Sequence, residues 1–379
     1  MRVCIVAENH PLAAMGGAEY QIQLICDELL RRPGVELHYL ARKVPAESSA
    51  AMLPYPIHCI GSDRGIRRRA TFFDAPRLAA KLEELRPDVI YQRMKQSYTA
   101  VCARHANCRS IPFFFHVASM MDLDMDLLRG GWSPNTPFDV VETWLGNRGL
   151  RQAPAVFAQT AAQARILRER TGRDATAVIG NFQPLPDRLP PPAEGPPWRV
   201  LWVGNLKEVK RPERFLDLAD RFRGRDDFIF EMVGRPWVNR RMAPVMSRIE
   251  SAPNLVYHGE LPLQTVNELM ATATFHVNTS AFEGFPNTFI QAWSRGAVVI
   301  SLEVDPFEGI EQVGVGFRAG SIGRMAELLD SLVADRQRWL QLREQSFRYV
   351  QVAHSLSQAG RLVDMLIDSA VAARSAIRT

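Results

Sequence analysis

Residues 274–293, TFHVNTSAFEGFPNTFIQAW, decide the fold class of this 379-residue chain. The apolar run 274–277 is typical of a buried strand, and Gly284 and Pro286 further along are typical of a tight turn. The sequence then predicts a helix that begins at Asn287. A strand, a turn and a helix N-terminus bring backbone N–H groups to the carboxyl edge of a parallel sheet, where anionic groups bind.

The same segment carries a carboxylate, Glu283, just before the predicted anion site. A carboxylate beside a bound phosphate is unfavourable unless another part of the ligand interacts with it. Sugar hydroxyls donate hydrogen bonds to carboxylate oxygens. The segment therefore predicts a site for a sugar joined to a phosphate.

Strand-like and helix-like segments alternate along almost the whole chain, which favours parallel sheets with crossover helices on both faces. The predicted strands are residues 3–7, 37–41, 88–92, 112–117, 155–159, 198–203, 228–233, 255–258, 274–277 and 297–301. The predicted helices include residues 18–31, 75–85, 161–170, 212–222, 265–273, 288–295 and 325–334, followed by a mostly helical tail. Residues 314–320, GVGFRAG, lack dinucleotide-binding spacing and are predicted to form a loop.

Prolines interrupt this alternation near the middle of the chain. Residues 184–197 contain two proline-rich runs, which are typical of a semi-rigid linker because they continue neither a helix nor a strand. We therefore expect an α/β protein with two doubly wound parallel-sheet, Rossmann-like domains that face a cleft. The expected division is an N-terminal domain at 1–183, the linker at 184–197, a C-terminal domain at 198–355, and a helix at 356–379 that packs back on the N-terminal domain.

The composition, with 46% hydrophobic and 23% charged residues, is typical of a soluble globular protein. We see no apolar stretch long enough for a transmembrane span or a secretory signal. Metal-ligand spacing is missing among the cysteines, which are typical of free thiols in a reducing cytoplasm. They are Cys4, Cys26, Cys59, Cys102 and Cys108. We therefore expect a cytoplasmic protein.

Positive charge concentrates in the N-terminal half. Residues 1–190 contain 24 basic and 19 acidic side chains, so the whole formal net charge of +5 lies there. The arginine triplet 67–69 beside Phe72 and Phe73 indicates peripheral contact with anionic membrane lipids, at about 1 kcal/mol per basic residue. A solvated loop is the alternative. Because no nucleic-acid recognition motif accompanies the charge, we expect no nucleic-acid partner.

Three segments together resemble the retaining glycosyltransferases of family 4, which have the two-domain GT-B architecture. They are Gly16-Gly17-Ala18-Glu19, residues 203–212 (VGNLKEVKRP) and residues 283–293 (EGFPNTFIQAW), in the family's order. The resemblance implies transfer of a sugar from a nucleotide diphosphate donor to an acceptor hydroxyl, with no metal and no cofactor. It also implies that the C-terminal domain binds the donor and the N-terminal domain the acceptor.

The resemblance also assigns the donor site residue by residue. Lys210 is implied to contact the donor diphosphate and Glu283 the hydroxyls of the donor sugar. Phe285 and Pro286 are implied to shape the sugar pocket. The remaining implied donor contacts lie in the glycine turn, the Lys210 loop and the turn and helix after Glu283: Gly16, Gly17, Gly204, Asn205, Gly284, Asn287, Thr288 and Gln291. Arg211, with Lys207, is a candidate for a further positive charge at the diphosphate, and a solvated side chain is the alternative.

Two of these positions depart from the family's usual pattern. Asn205 stands where the family usually has an arginine, so one fixed positive charge is missing from the diphosphate site. Gln291 stands where the family usually has a second glutamate that holds the ribose. A hydroxyl bonds more weakly to an amide than to a carboxylate. We therefore expect a weaker grip on the diphosphate and the ribose.

Histidine supplies the third candidate catalytic residue beside Lys210 and Glu283. His116 ends the apolar run 112–116, and a histidine at that strand end in the acceptor domain would face the cleft. The resemblance places such a histidine near the transferred sugar, whereas a core histidine with satisfied ring nitrogens is the alternative. His10, after the first strand, is a second candidate.

Residues 120–128, MMDLDMDLL, with Trp132 nearby, mix methionine, leucine and aspartate. The aspartates lack the glycine and the closing glutamate of a calcium loop. Flexible methionines suit an adaptable acceptor pocket or lid, and ordinary packing is the alternative.

The predicted function is therefore a hexosyltransferase-type, retaining sugar transfer from a nucleotide sugar to a glycan or lipid-linked acceptor, in surface polysaccharide or glycoconjugate synthesis. Two alternatives stay open. One is a sugar-nucleotide epimerase or hydrolase on the same fold. The other is a non-catalytic sugar-nucleotide-binding protein, which Asn205 and Gln291 would fit.

Overall fold

The computed structural model describes residues 1–62, 65–128, 136–236 and 242–378. The chain forms two compact units. Unit 1 consists of Met1–Asn181 and Leu356–Thr379, and unit 2 consists of Phe182–Ser355. Within the described ranges, no helix is both long and apolar enough to cross a membrane.

Unit 1 is built on a sheet whose seven described strands are all parallel to their neighbours. Its central strands are buried on both faces, as parallel strands between two helix layers must be. The strands are β1 (Arg2–Asn9), β2 (Glu36–Lys43), β3 (Ile57–Cys59), β4 (Val89–Arg93), β5 (Phe113–His116), β6 (Ala155–Ala158) and β7 (Ala177–Val178). Their order across the sheet is β3-β2-β1-β4-β5-β6-β7.

Helices connect these strands, and their ends follow local sequence signals. They are α1 (Gly17–Leu30), α2 (Glu47–Ala50), α3 (Ala75–Leu85), α4 (Ser97–Arg109), α5 (Thr136–Gln152) and α6 (Ala161–Thr171). Helix α6 begins where the Thr160 hydroxyl accepts a hydrogen bond from the Gln163 amide at 3.1 Å. It ends at Gly172, which has the positive φ of 71° that favours glycine.

Helices α4 and α5 pack closely because a glycine lies at their contact. A Cβ atom on Gly149 would lie 2.3 Å from the backbone nitrogen of Ala100, closer than any side chain tolerates. This contact holds α5 against the end of the sheet where the loops after β4 and β5 lie.

Unit 2 contains a second parallel sheet, with six described strands. They are β8 (Trp198–Val203), β9 (Phe228–Val233), β10 (Leu255–Tyr257), β11 (Phe275–Asn278), β12 (Val298–Ser301) and β13 (Gly316–Arg318). Their order across the sheet is β10-β9-β8-β11-β12-β13.

The helices of unit 2 cover both faces of this sheet. They are α7 (Pro212–Asp220), α8 (Ala243–Ser251), α9 (Leu263–Thr272), α10 (Asn287–Arg295), α11 (Ile310–Val313), α12 (Ile322–Ala334) and α13 (Arg336–Ala353). One face buries Phe215, Phe230 and Leu329, and the other buries Phe289, Trp293 and Val299. Each sheet face is thus closed by its own apolar core.

The last helix, α14 (Ser357–Arg378), belongs to unit 1. Its Leu362 and Leu366 are fully buried. Asp364 in its first half pairs with Arg32 at 3.1 Å, and near its end the guanidinium of Arg374 donates to the carboxylate of Asp88. The proline-rich segment 184–197 lies within unit 2, where Arg343 donates to the carbonyl of Pro190 at 2.8 Å.

The predicted fold class, with two doubly wound parallel sheets, is confirmed. The prediction that residues 314–320 form a loop is wrong in part, because Gly316–Arg318 is the edge strand β13. Strands β3 and β7 were also not predicted from the sequence. All three are edge strands of two or three residues, too short to show a periodic pattern.

Both sheets have an order that reverses at one pair of neighbouring strands. Chain order runs outward from β1 toward β3 in one direction and from β4 toward β7 in the other, so β1 and β4 form the switch point of unit 1. Strands β8 and β11 form the switch point of unit 2 by the same logic. Ligands of doubly wound sheets bind outside the carboxyl ends of such a pair.

Candidate functional site

The two loops that carry the predicted donor residues meet at the switch point of unit 2. The first follows β8 and leads into α7, and the second follows β11 and leads into α10. The Ala281 amide donates to the carbonyl of Val209 at 2.9 Å, which joins the two loops through their backbones. The positions of the two loops in the sequence do not predict this hydrogen bond.

Thr279 connects the two loops through its side chain. It is fully buried, accepts a hydrogen bond from Trp202 Nε1 at 2.9 Å, and donates to the carbonyl of Lys210 at 2.7 Å. Sequence reasoning did not single out Thr279. A threonine just past the end of a buried strand is the signal that identifies it.

Lys210 and Glu283 face each other across this junction. The Lys210 ammonium donates to Glu283 Oε1, and the Ser280 hydroxyl donates to the same oxygen at 2.7 Å. Both side chains remain accessible, with 28% of Lys210 and 16% of Glu283 exposed. The structure thus places a cation, a carboxylate and a hydroxyl at one point on the sheet edge.

The start of α10 adds the positive end of a helix dipole to this edge. Asn287 and Thr288 are the first two residues of the helix and both are half-buried. No acidic side chain lies in the first turn of this helix, so its positive end is not neutralised by a carboxylate of its own. Gly284 lies half-buried in the turn between Glu283 and the helix.

Gly204 is held close to a second glycine that the sequence did not single out. Its amide donates to the carbonyl of Val233 at 3.0 Å, and a Cβ on Gly234 would lie 1.8 Å from the Gly204 carbonyl oxygen. Gly234 also has a φ of 153°. The loops after β8 and β9 therefore approach each other only because position 234 has no side chain. Asn205 follows in the first loop and is half-buried.

Arg211 is engaged with the protein itself, and its expected contact with the donor stays a prediction. Its guanidinium donates to the carbonyls of Thr279 and Ser280 at 2.9 and 3.1 Å, and to Glu303 at 2.9 Å. These bonds use the guanidinium to hold the second loop in place. The local backbone has a φ of 46°, which turns the chain into α7.

Phe285, which is predicted to shape the sugar pocket, packs into the interior of unit 2. The ring is buried and packs against Trp293, Phe307 and His354 at centroid distances of 6.1, 5.6 and 4.6 Å. Pro286, the next residue, is buried as well. This aromatic cluster fixes the turn on its buried side, while the Glu283 side chain just before it remains partly exposed.

Gln291 lies one turn into α10 and is buried against α9. Its amide nitrogen donates to Asn267 Oδ1 at 3.2 Å. This bond joins two helices, and the expected ribose contact stays a prediction.

The glycine turn of unit 1 lies at the carboxyl end of β1. Gly16 precedes α1, and a Cβ on it would lie 2.6 Å from Oε2 of Glu19. Glu19 is buried and accepts a hydrogen bond from Asn9 at 3.1 Å. Gly17 is exposed at the start of the helix. The Glu19 carboxylate therefore lies against the turn that precedes its helix.

His116 does not face an open cleft, and that expectation is wrong. Its ring is fully buried, with Nδ1 2.8 Å from the Tyr91 hydroxyl and Nε2 3.0 Å from the carbonyl of Ile179. Burial, and then the nearby Arg93, lower the pKa of His116 well below its ordinary value. The structure shows the alternative, a core histidine with both nitrogens satisfied.

His10 is also a buried, neutral anchor. Its Nδ1 accepts from the Leu12 amide at 3.2 Å and its Nε2 lies 3.1 Å from the Tyr55 hydroxyl. Burial lowers the pKa of His10 to about 4. The residue stabilises the loop that leads to Gly16 and Gly17.

A cavity of about 580 Å³ lies at the switch point of unit 1. Residues after β4 and β5, the start of α1, the methionine- and aspartate-rich segment and α5 line it. Trp132, from the same predicted segment, lies outside the described residues. Among the residues that are described, no group of three or more His, Cys, Asp or Glu side chains could hold a metal ion.

Two protein families match the chain. Residues 15–183 match Glycosyltransferase Family 4, and residues 197–335 match Glycosyl transferases group 1. Each family covers most of one of the two sheets. No curated protein sequence matches the chain.

Solved glycosyltransferase structures share the fold. Sucrose-phosphate synthase from Thermosynechococcus elongatus has a TM-score of 0.75 at 16% identity, over 97% of this chain and 99% of that chain. HepE from Anabaena, solved in complex with UDP and glucose, has a TM-score of 0.72 at 16% identity, over 97% and 100%. WaaG, a glycosyltransferase involved in lipopolysaccharide biosynthesis, has a TM-score of 0.72 at 13% identity, over 96% and 99%.

Proposed function

Because this chain is a glycosyltransferase of the GT-B fold, matched by Glycosyltransferase Family 4 and Glycosyl transferases group 1, we propose that it moves a sugar from a nucleotide diphosphate donor to an acceptor hydroxyl with retention of configuration. The transferred group is a hexose. Unit 2 binds the donor and unit 1 the acceptor.

The observation that carries this proposal is the pairing of Lys210 with Glu283 beside the start of α10. A diphosphate needs a cation and N–H donors, and a sugar needs a carboxylate and hydroxyls. Both sets lie together at the unit 2 switch point, where nucleotides bind in doubly wound sheets. A site for phosphate alone would not require the carboxylate.

The residues of unit 2 suggest how the reaction is accelerated. As the bond between the anomeric carbon and the diphosphate oxygen breaks, negative charge grows on the leaving diphosphate. The Lys210 ammonium and the amides of Asn287 and Thr288 stabilise that charge. The acceptor hydroxyl attacks the same face, and its proton passes to the leaving phosphate oxygen, which accounts for retention.

The donor is identified by a thermal-shift screen of UDP-glucose, UDP-galactose, ADP-glucose and GDP-mannose. Because HepE was solved with UDP-glucose, that compound is the first to test. A ligand at 100 times its dissociation constant adds about 2.7 kcal/mol to the free energy of unfolding. We expect one nucleotide sugar to stabilise the protein more than its nucleotide diphosphate does.

Product analysis then separates the proposal from its rivals. We expect transfer that depends on an acceptor glycan and a product that keeps the donor's anomeric configuration, measured by NMR. Equal release of free sugar without acceptor would instead indicate a hydrolase, and an epimerised nucleotide sugar an epimerase. Donor binding without turnover across a broad acceptor panel would indicate a non-catalytic binder.

The acceptor is a glycan or lipid-linked glycan of surface polysaccharide or glycoconjugate synthesis, reached at the cytoplasmic face of an anionic membrane. An exposed patch in unit 1 supports this. Ile66 is 57% exposed beside exposed Arg67 and Arg69. Phe72 packs against Phe138 at 6.3 Å, so the arginines and Ile66 carry the proposed contact.

Membrane contact is tested by sedimentation with lipid vesicles. We expect binding to vesicles with phosphatidylglycerol, little binding to pure phosphatidylcholine, and loss of binding as salt is raised, because the attraction is electrostatic. Replacing Arg67 and Arg69 with glutamine should weaken binding several-fold. Replacing the exposed Arg188 and Arg361 removes the same charge elsewhere, and an equal loss with this control would contradict a specific patch.

A further inference from the structure

The cavity of unit 1 lies where a parallel sheet of this order binds ligands. Ala18 at the start of α1 lines it on the β1 side, and Met94 with Lys95 lines it on the β4 side. These strands are the switch-point pair. At about 580 Å³ the cavity has the size of a small-molecule site.

Part of the cavity lining is apolar and exposed. Met121, Leu127 and Leu128 are 44%, 37% and 50% exposed, and all three line the cavity together with Met94. Contiguous apolar patches on the surface of a folded protein are typical of binding sites. Flexible methionine lets such a surface adapt to ligands of different shape.

Two carboxylates of the lining are already engaged in holding the framework. Asp122 accepts from the amides of Lys95, Ala118 and Ser119 at 2.9, 2.6 and 3.1 Å. Glu142 accepts from the amides of Phe72 and Ser97 at 3.1 and 2.7 Å. Their charge still contributes to the potential inside the cavity, although their hydrogen-bonding capacity is largely used.

Lys95, the basic residue of the lining, is directed into the framework as well. Its ammonium donates to the carbonyl of Asp124 at 2.6 Å and to Asn147 Oδ1 at 2.7 Å. Two further carboxylates, Asp126 and Asp139, are exposed on the lining and form no ion pair with any residue that the structure describes. The described part of the lining therefore combines apolar surface with more carboxylates than ammonium groups.

We propose that this cavity binds the acceptor and selects its charge: it takes an amine-bearing or uncharged glycoside with an apolar substituent, and rejects one that carries phosphate or carboxylate on the sugar. The inference rests on the proposed function, since it names the class of that reaction's acceptor. The apolar residues contact the substituent, and Asp126 and Asp139 face the sugar.

Electrostatics supplies the selection. An anionic sugar would meet several carboxylates, while Lys95 could neutralise it only by breaking its two framework bonds. An ammonium group is attracted by the same carboxylates, and an uncharged sugar donates hydroxyl hydrogen bonds to them without a net charge interaction. For a lipid-linked acceptor, any phosphate must therefore lie outside the cavity.

Three matched probes test the selection: octyl glucoside, its 2-amino analogue and its 6-phosphate, each below its micelle concentration. Binding to the whole protein without donor is measured by isothermal titration calorimetry. We expect the 6-phosphate to bind at least about tenfold more weakly than octyl glucoside, and the amine to bind most tightly. Raising the salt concentration from about 20 to about 500 mM should reduce the differences in affinity among the three probes, because salt screens the charges.

Substitutions place the effect in the cavity. Replacing Asp126 and Asp139 with asparagine should lower the ratio of the affinity for the 2-amino probe to the affinity for the 6-phosphate probe by at least about threefold. Asp368→Asn, at an exposed position of α14, should leave it unchanged. Thr143→Trp, which fills the cavity from α5, should weaken all three probes while the unfolding transition persists.

Equal or tighter binding of the phosphate, or no binding of any probe, would overturn the inference. Probe binding that survives Thr143→Trp in the folded protein would also overturn it. These outcomes do not depend on the donor experiments. Sugar transfer together with a preference for the phosphate probe would support the proposed function and contradict only the selectivity. Binding of the probes without binding of a donor would contradict the proposed function.

Discussion

Lys210→Ala is expected to lower the rate of sugar transfer by about 10²–10³-fold, which corresponds to one lost electrostatic contact to the transition state. The leaving diphosphate gains charge as the glycosidic bond breaks, and Lys210 lies at the sheet edge where that charge would appear. The rate should depend more strongly on Lys210 in this chain, because Asn205 supplies no positive charge where the family usually has an arginine. The measurement is the kcat for transfer at saturating donor.

The protein should remain folded in this variant. The Lys210 side chain is 28% exposed and that of Glu283 is 16% exposed, and an ion pair that reaches solvent contributes about 0–1 kcal/mol to the free energy of unfolding. The loops stay joined through Thr279 and Arg211, whose bonds do not involve the Lys210 side chain. Thermal unfolding checks this.

Lys207→Ala provides the matched control, because it removes the same charge from the same loop. We expect it to change kcat less than about threefold, since a lysine at another position does not make the specific contact. If both variants lose activity equally, the loop acts through its overall charge. Unchanged kcat in Lys210→Ala would remove Lys210 from the site.

Glu283→Gln is expected to abolish most of the binding advantage that a nucleotide sugar has over its nucleotide diphosphate. The carboxylate accepts bonds from sugar hydroxyls, and a neutral amide makes bonds of about half that strength. Transfer should fall by about 10²-fold if the contact tightens in the transition state. Calorimetric titration with UDP-glucose and with UDP gives the two affinities.

The affinity for UDP alone should stay equal or rise in the same variant. In the structure Glu283 holds the Lys210 ammonium, so a diphosphate must compete with this carboxylate. Glutamine removes the competing charge and leaves the ammonium available. Equal weakening of UDP and UDP-glucose would contradict the assigned role, since it would mean that Glu283 supports the loop rather than the sugar.

Secondary structure was most predictable in the long central elements. The predicted strands 198–203 and 228–233 and the predicted helix 75–85 have the bounds observed for β8, β9 and α3. A central parallel strand is an uninterrupted apolar run between turn residues, and a helix such as α3 repeats its apolar side chains every three or four residues. Edge strands such as β13 pair on one side only and lack both signals.

The orientation of side chains outside regular elements was not predictable. His116, Arg211 and Phe285 were all expected to face a ligand, and all three are engaged with the protein itself. Periodicity determines which face a residue takes within a strand or a helix. At strand ends and in turns no such period exists, so the tertiary packing decides.

By itself, the sequence determined two Rossmann-like sheets and the two loops of unit 2 that carry the predicted donor residues, because both follow from local patterns of apolar, glycine and proline residues. Only the tertiary structure decided that Lys210 and Glu283, 73 positions apart, share one hydrogen bond, and that Asp126 and Asp139 line the same cavity. The order of the strands brings these residues together. That order is not visible in the sequence, because the hydrogen bonds between strands are formed by backbone groups that every residue has.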